Sequence, residues 1–302
     1  MRSRAVGGGA LTRRLPARLL RRMAARRARP PLDLALAATL HDPSGALVPD
    51  LRRALPVLRR LYRHLAVATS PPTAERMVRA LEAEGVHAGS PRSNTRGPLY
   101  RLSLRAALAG GAGRVHYLDF DRALHWAAVA PRELAAVAQL ATRHAHLWVG
   151  RTPKAHASHH RPLFATEVVV NRLLARRLGL GGRVDLLVPS FALARETAVV
   201  LLARSRARDT AVYGELVALL ASLAPAPAYV ECRGLDWETP DRHRRAVRRL
   251  GLAEWRRRED TAAEWARRTD VAAEILRGFE RALRGGAAPR PALLRLRSPV
   301  GR

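Results

Sequence analysis

Two hydrophobic patterns alternate along the chain. Short unbroken apolar runs predict buried strands, and longer stretches with an apolar residue every three or four positions predict helices. Runs at 34–40, 64–69, 86–88, 114–118, 146–150, 184–188 and 228–232 read as strands. Between them, Leu47, Leu51, Leu55, Leu58 and Leu61 mark a helix with Pro56 as a kink, and residues 73–84 form a helix that Gly85 ends. Further helices are predicted at 99–109, just after residue 121, at 131–143 starting on Pro131, and at 163–178, 194–206 and 211–223. The part 241–283 is mainly helical, and residues 151–162 read as a basic, His-rich loop. Three strand–helix alternations before residue 121 argue for a three-layer α/β domain around a mostly parallel sheet. No repeat of solenoid period interrupts this pattern.

Charge adds boundaries. The chain of 302 residues carries 54 Lys and Arg against 25 Asp and Glu, a formal net charge of +29, and Lys154 is its single lysine. Residues 1–31 hold ten arginines and no acid, and residues 284–302 hold five arginines and no acid. Both segments read as basic, disordered tails around a domain at 32–283. Arginine-rich, lysine-poor usage accounts for part of the charge as codon bias. The basic remainder suits an anionic ligand. Aromatic residues are 5% of the chain and do not interleave with basic ones, which argues against nucleic acid. Within 11–29, Leu15, Leu19, Leu20 and Met23 lie on one side of a basic helix, the pattern of a peripheral membrane contact. A start of translation at Met23 is the other reading of that segment. No apolar stretch reaches the roughly 20 residues of a membrane span. Cys232 is the sole cysteine, which excludes a disulfide within the chain and leads to the expectation of a reducing, cytoplasmic location.

The most informative residues are Asp119-Phe120-Asp121, which close the apolar run 114–118. In an α/β sheet the C-terminal ends of the strands are where ligands bind. Strand side chains alternate, so Asp119 and Asp121 are expected on one face and Phe120 on the other. Two carboxylates on one face suit a hard divalent cation, which fills its other positions with water and substrate phosphate.

An apolar strand ending in Asp-x-Asp after several βα units resembles the GT-A glycosyltransferases, enzymes with a Rossmann-like three-layer sandwich that use nucleotide-diphospho-sugar donors. The likeness covers roughly 32–243 in the order of elements, with Asp119-Phe120-Asp121 as its motif. It implies Mn²⁺ or Mg²⁺ on Asp119 and Asp121, bridging the donor diphosphate. It also implies that Thr39, His41 and Asp42, after the first strand, hold base and ribose. Ser70 stands after the second strand, in Thr69-Ser70-Pro71-Pro72, where the family usually has an Asp. Arg96, in the loop 93–97, falls where the family contacts the donor, and a guanidinium there can clamp phosphate. In the region where inverting members carry the base that deprotonates an acceptor hydroxyl, this chain has Glu215, with Asp209 as the second choice. His243 stands where some members place a further metal ligand. The resemblance leaves the acceptor unknown.

Two other readings stay open. Leu118-Asp119-Phe120-Asp121-Arg122-Ala123-Leu124 also resembles the nucleophile loop of haloacid-dehalogenase-like phosphatases, with Asp119 phosphorylated, Asp121 as acid/base and Lys154 as their lysine. Against it, no later acidic metal motif exists and the triplet comes late in the chain. The other reading is a non-enzymatic basic binding protein whose affinity collapses with salt. Of the histidines, His144, His146, His156, His159 and His160 cluster without zinc-site spacing, so an anion site is the better expectation for the loop that holds the last three.

Overall fold

A computed structural model describes residues 30–188, 190–288 and 293–299. The described residues from Pro31 onward form one compact unit. The N-terminal basic segment, with its expected tail and membrane contact, lies outside the described residues apart from its last positions.

The elements run β1 (Leu32–Leu40), α1 (Val48–Leu61), β2 (Tyr62–Thr69), α2 (Glu75–Ala83), β3 (His87–Gly89), α3 (Arg96–Ala109) and β4 (Arg114–Leu118). Then come α4 (Phe120–Val129), α5 (Pro131–Arg143), β5 (His146–Arg151), α6 (Pro153–Ala157), α7 (Arg161–Arg177), β6 (Ser190–Ala194), α8 (Arg195–Arg204), α9 (Ala211–Ser222) and β7 (Ala228–Cys232). A 3₁₀ turn, Thr239–His243, leads to α10 (Arg244–Leu250), α11 (Leu252–Arg258), α12 (Ala262–Arg284) and β8 (Leu294–Arg295). The eight strands make one sheet in the order β3-β2-β1-β4-β6-β5-β7-β8. All pairings are parallel except those of β6, which runs antiparallel to both β4 and β5. The expectation of an α/β domain with a mostly parallel sheet holds, the sheet being mixed through β6.

Strand β1 explains the layering. Leu34, Leu36, Ala38 and Leu40 pack into one core with α1, α2, α4 and α5. Ala35 and Ala37 point the other way, into a second core with α3, α7, α9 and α12. A strand covered on both faces needs apolar residues at every position, which is why β1 reads as a run without alternation. No helix among the described residues is long and apolar enough to cross a membrane.

Three expectations are corrected here. The apolar run 184–188 is irregular, and the strand begins only at Ser190. Its Asp185 is buried and accepts hydrogen bonds from Arg151 and Asn171, so the segment is fixed by a polar network instead of a strand ladder. The segment 284–302 is not simply a tail, because β8 extends the sheet beside β7, pairing Leu294 with Ala228 and Arg295 with Tyr229. The loop 151–162 contains α6 and the start of α7, and His156, His159 and His160 are buried within it.

Candidate functional site

Strand β4 ends at Leu118, and the chain enters α4 at Phe120, so Asp119 is the residue before the helix and Asp121 lies in its first turn. The alternation of a strand does not govern them, yet both line one cleft at the C-terminal edge of the sheet. The same cleft receives Thr39 and His41 from the end of β1 and Arg96 from the start of α3. Arg122, His159, Glu167, Tyr213, Glu238 and Arg242 complete its polar wall, with Arg268 of α12 at the side. Its volume is about 220 Å³, below the roughly 300–1,000 Å³ of sites that enclose a drug-sized ligand. A nucleotide-sized ligand would therefore extend beyond it.

Asp119 is the best-anchored acid. Its Oδ1 accepts hydrogen bonds from Thr39 Oγ1 at 2.9 Å and from the Tyr117 hydroxyl at 3.0 Å. Tyr117 is itself fixed between the rings of Tyr100, 4.3 Å away, and Phe191, 5.3 Å away. Burial, followed by the charge of Asp121, pushes the Asp119 carboxyl up to about 6, while Arg122 and Arg96 partly offset the shift. Asp121 is held by the backbone N–H of Arg122 at 2.9 Å and lies 3.4 Å from the Arg242 guanidinium. Arg242 also donates to the carbonyl of His41 at 2.7 Å. The His41 imidazole shares a 2.7 Å hydrogen bond with Ser70. Burial, then the charges of Arg96 and Arg242, hold its pKa below the ordinary value. Ser70 thus acts on the cleft through His41 and does not line it.

One flank of the cleft is a buried charge network. Arg151, fully buried at 0% exposure, is bonded through its side chain to Asp185 and Glu167. Burial alone would raise the Glu167 carboxyl, but Arg151 and the hydrogen bond with His156 hold it down at about 2. His159 places Nδ1 3.2 Å from the carbonyl of Ala155, and burial, then the charges of Arg151 and Arg122, hold its pKa well below the ordinary value. Beside it, Glu238 and Arg122 face each other with Oε2 and Nη1 3.6 Å apart. Neither of these two buried atoms has a hydrogen-bond partner.

Several expected residues are elsewhere. Asp42 is buried inside its own turn, accepting from the Ala46 and Leu47 backbone N–H groups at 3.1 and 2.9 Å, so it is a turn anchor and not a ribose ligand. Glu215 faces another cavity, with Arg204, Arg206 and Arg281. It accepts from Ser205 Oγ and from the backbone N–H groups of Arg206 and Ala207, at 2.7, 2.7 and 2.9 Å. It therefore shapes the 205–207 loop and is not in place as a base. That loop matters to the cleft indirectly. Gly97, next to Arg96, donates to the carbonyl of Arg208 at 2.9 Å, and a Cβ there would collide with the carbonyl of Ala207. Asp209 caps the next turn by accepting from Ala211 N at 2.9 Å. His243 is exposed and lies against Trp255, ring centroids 5.3 Å apart, outside the cleft. Lys154 is exposed and also outside it, so the phosphatase reading loses its lysine.

Among the described residues, no three His, Cys, Asp or Glu side chains form a group that could hold a metal ion by themselves. A larger cavity, of about 490 Å³, lies along α7 between Arg172, Arg176 and Arg183, and of the histidine loop expected to line an anion site only His156 reaches it. Sequence reasoning missed Arg122, Glu167, Glu238 and Arg242, whereas His159 belongs to the loop expected to line an anion site. The dense acidic, aromatic and histidine segment 235–243 was the available signal for two of them. No protein-family model matches the chain, and no curated protein is similar enough to be counted as its relative.

Proposed function

We propose that the cleft binds the diphosphate of a nucleotide sugar, and that the chain is a GT-A-like glycosyltransferase passing the sugar to an acceptor not identified by its sequence. One observation carries this reading: Thr39, His41, Arg96, Asp119 and Asp121, from three separate segments, line a single cleft. Each was expected there from its place in the order of strands and helices.

The chemistry of the lining supports an anionic ligand with a cation beside it. Arg96 and Arg242 offer guanidinium donors to phosphate oxygens, the geometry in which arginine binds phosphate best. The Asp119 carboxyl is pushed up by burial first and then by the charge of Asp121, and a cation would relieve that repulsion. Two carboxylates plus phosphate oxygens are a sufficient donor set for Mg²⁺ or Mn²⁺. A cation held there would neutralise charge on the departing diphosphate. Because the two acids are the only protein ligands in the proposal, cation and diphosphate should bind together. Thr39 and Tyr117 keep Asp119 in its rotamer, and Arg242 ties Asp121 to the end of β1 through the His41 carbonyl.

Calorimetry of the full chain with UDP, GDP and ADP, in Mn²⁺ and in EDTA, tests the reading. Binding in Mn²⁺ that falls at least about tenfold in Asp121→Ala, with the melting temperature kept, is the expected result. Equal affinity of wild type and variant, or no binding of any of the three, sinks it. Binding that instead follows salt concentration alone would favour a non-enzymatic polyanion binder.

A further inference from the structure

The cavity along α7 carries an inference about a second, separate ligand. Its volume of about 490 Å³ falls within the roughly 300–1,000 Å³ of sites that enclose a small molecule. Ala175 and Val184, both buried, and Val168 and Leu180 give it apolar walls. The buried polar side chains of its lining are already committed. Asn171 donates to Asp185 at 2.9 Å and accepts from the Leu186 backbone N–H at 2.7 Å, and His156 Nε2 lies 3.1 Å from Glu167. That last contact also marks the boundary with the cleft, because Glu167 lines the cleft and His156 lines the cavity. The two spaces share no lining residue.

Charge gathers at the exposed part of the lining. Arg172, Arg176 and Arg183 are exposed, and no Asp or Glu lines the cavity. Arg183 is paired with Glu231 at 2.7 Å, and Arg177, the residue after Arg176, with Glu280 at 3.3 Å. Arg172 and Arg176 have no such carboxylate among the described residues. They stand one turn apart on α7, where like charges repel. An anion bridging the two guanidiniums relieves that repulsion and gains charge-assisted hydrogen bonds. A bare anion leaves the apolar walls unused, and a neutral apolar molecule leaves the arginines unpaired. The basic segment 1–31, with ten arginines and no acid, has the wrong sign to fill the space. We infer that this cavity binds an anionic amphiphile, an acyl carboxylate by its chemistry, with its tail against Ala175 and Val184 and its head on Arg172 and Arg176. The site goes beyond the diphosphate reading and does not depend on it.

Calorimetry of the full chain with decanoate, decanol and inorganic phosphate tests the inference, the two decyl compounds being kept below the concentration at which they aggregate. Decanol has the tail without the charge, and phosphate the charge without the tail. The double variant Arg172→Gln/Arg176→Gln is compared with Arg248→Gln/Arg249→Gln, which removes the same charge from exposed positions on α10. All four arginines are exposed, so both variants should keep the melting temperature of the wild type. Decanoate should bind about tenfold or more tightly than either comparison compound, and the first variant should lose about tenfold or more while the second loses nothing. No binding of decanoate, or equal binding of decanol, overturns the inference. So does an equal loss in both double variants, which would be general attraction to a basic surface. Binding to phosphatidylglycerol vesicles without binding of free decanoate would make this face a membrane contact and also overturn it. Decanoate should bind Asp121→Ala as it binds the wild type. A loss there would put the amphiphile in the cleft and overturn the second site, whatever the nucleoside diphosphate titrations show.

Discussion

His125 on α4 lies between two carboxylates of the segment after β7, with Nδ1 2.7 Å from Asp241 and Nε2 3.0 Å from Asp236. Burial alone would lower its pKa, but the hydrogen bonds to Asp236 and Asp241 prevail and raise it to about 9. The imidazolium therefore fastens to α4 the segment that delivers Glu238 and Arg242 to the cleft. Since the folded pKa is the higher one, this stabilisation is complete below the unfolded value near 6.5 and disappears as pH rises through about 9. Melting temperatures of wild type and His125→Asn should differ most at pH 6 and converge by pH 10. A constant difference across that range would show that the clamp does not depend on charge.

Asp119 gives a second pH dependence, of opposite sense for ligand binding. Its carboxyl, pushed up to about 6 by burial and Asp121, must lose its proton to accept a cation. Binding of Mn²⁺ with a nucleoside diphosphate should weaken as pH falls from 7.5 to 5 and should release protons near pH 6. Titrations in buffers of different ionisation enthalpy measure that release directly. Affinity independent of pH across this range would remove Asp119 from the site.

Glu215 should behave as a structural acid. Glu215→Ala leaves the backbone N–H groups of Arg206 and Ala207 and the hydroxyl of Ser205 without their acceptor. We expect a loss of roughly 2–4 kcal/mol in stability. Denaturant unfolding measures it. A stable variant with abolished sugar transfer would instead restore the base role that its position in the sequence suggested.

The Arg151 network makes a harsher prediction. Asp185→Ala leaves a fully buried guanidinium with Glu167 as its remaining carboxylate partner. Breaking a buried ion pair from one side costs about 3–5 kcal/mol. Asp185→Asn should lose less, because it preserves an acceptor. Equal stability of the two variants would mean that charge neutralisation outweighs hydrogen bonding at Arg151.

These residues also show what the sequence makes legible. Strand β1 was readable because burial on both faces leaves a continuous apolar run, and Asp119 because it follows such a run directly. The run 184–188 looked the same but is held by hydrogen bonds that Arg151 and Asn171 donate to Asp185, and that the Asp185 and Leu186 backbone N–H groups donate to Tyr229 and Asn171, contacts that no local pattern encodes. The pairing of Asp119 with Asp121 was expected from strand alternation, yet it arises from the first turn of a helix. Glu215 and His243 were placed by analogy in order along the chain, and packing turned both away from the cleft. The opposition of Arg122 and Glu238 depends on how α4 faces the turn after β7, so neither residue announces it alone.

The reversed strand β6 has a consequence for the order in which the site comes into being. Among the described residues strands β4 and β5 do not pair directly, and β6, antiparallel to both, bridges them. A chain emerging from its N-terminus can assemble β1 to β4, with Asp119 and Asp121 at the edge, well before Ser190–Ala194 is made. Glu167 and Glu238 belong to the half that docks only when β6 is inserted. The acids after β4 thus precede in the chain the residues that wall them in. The cleft lined by residues of both halves is therefore complete only once β6 joins them.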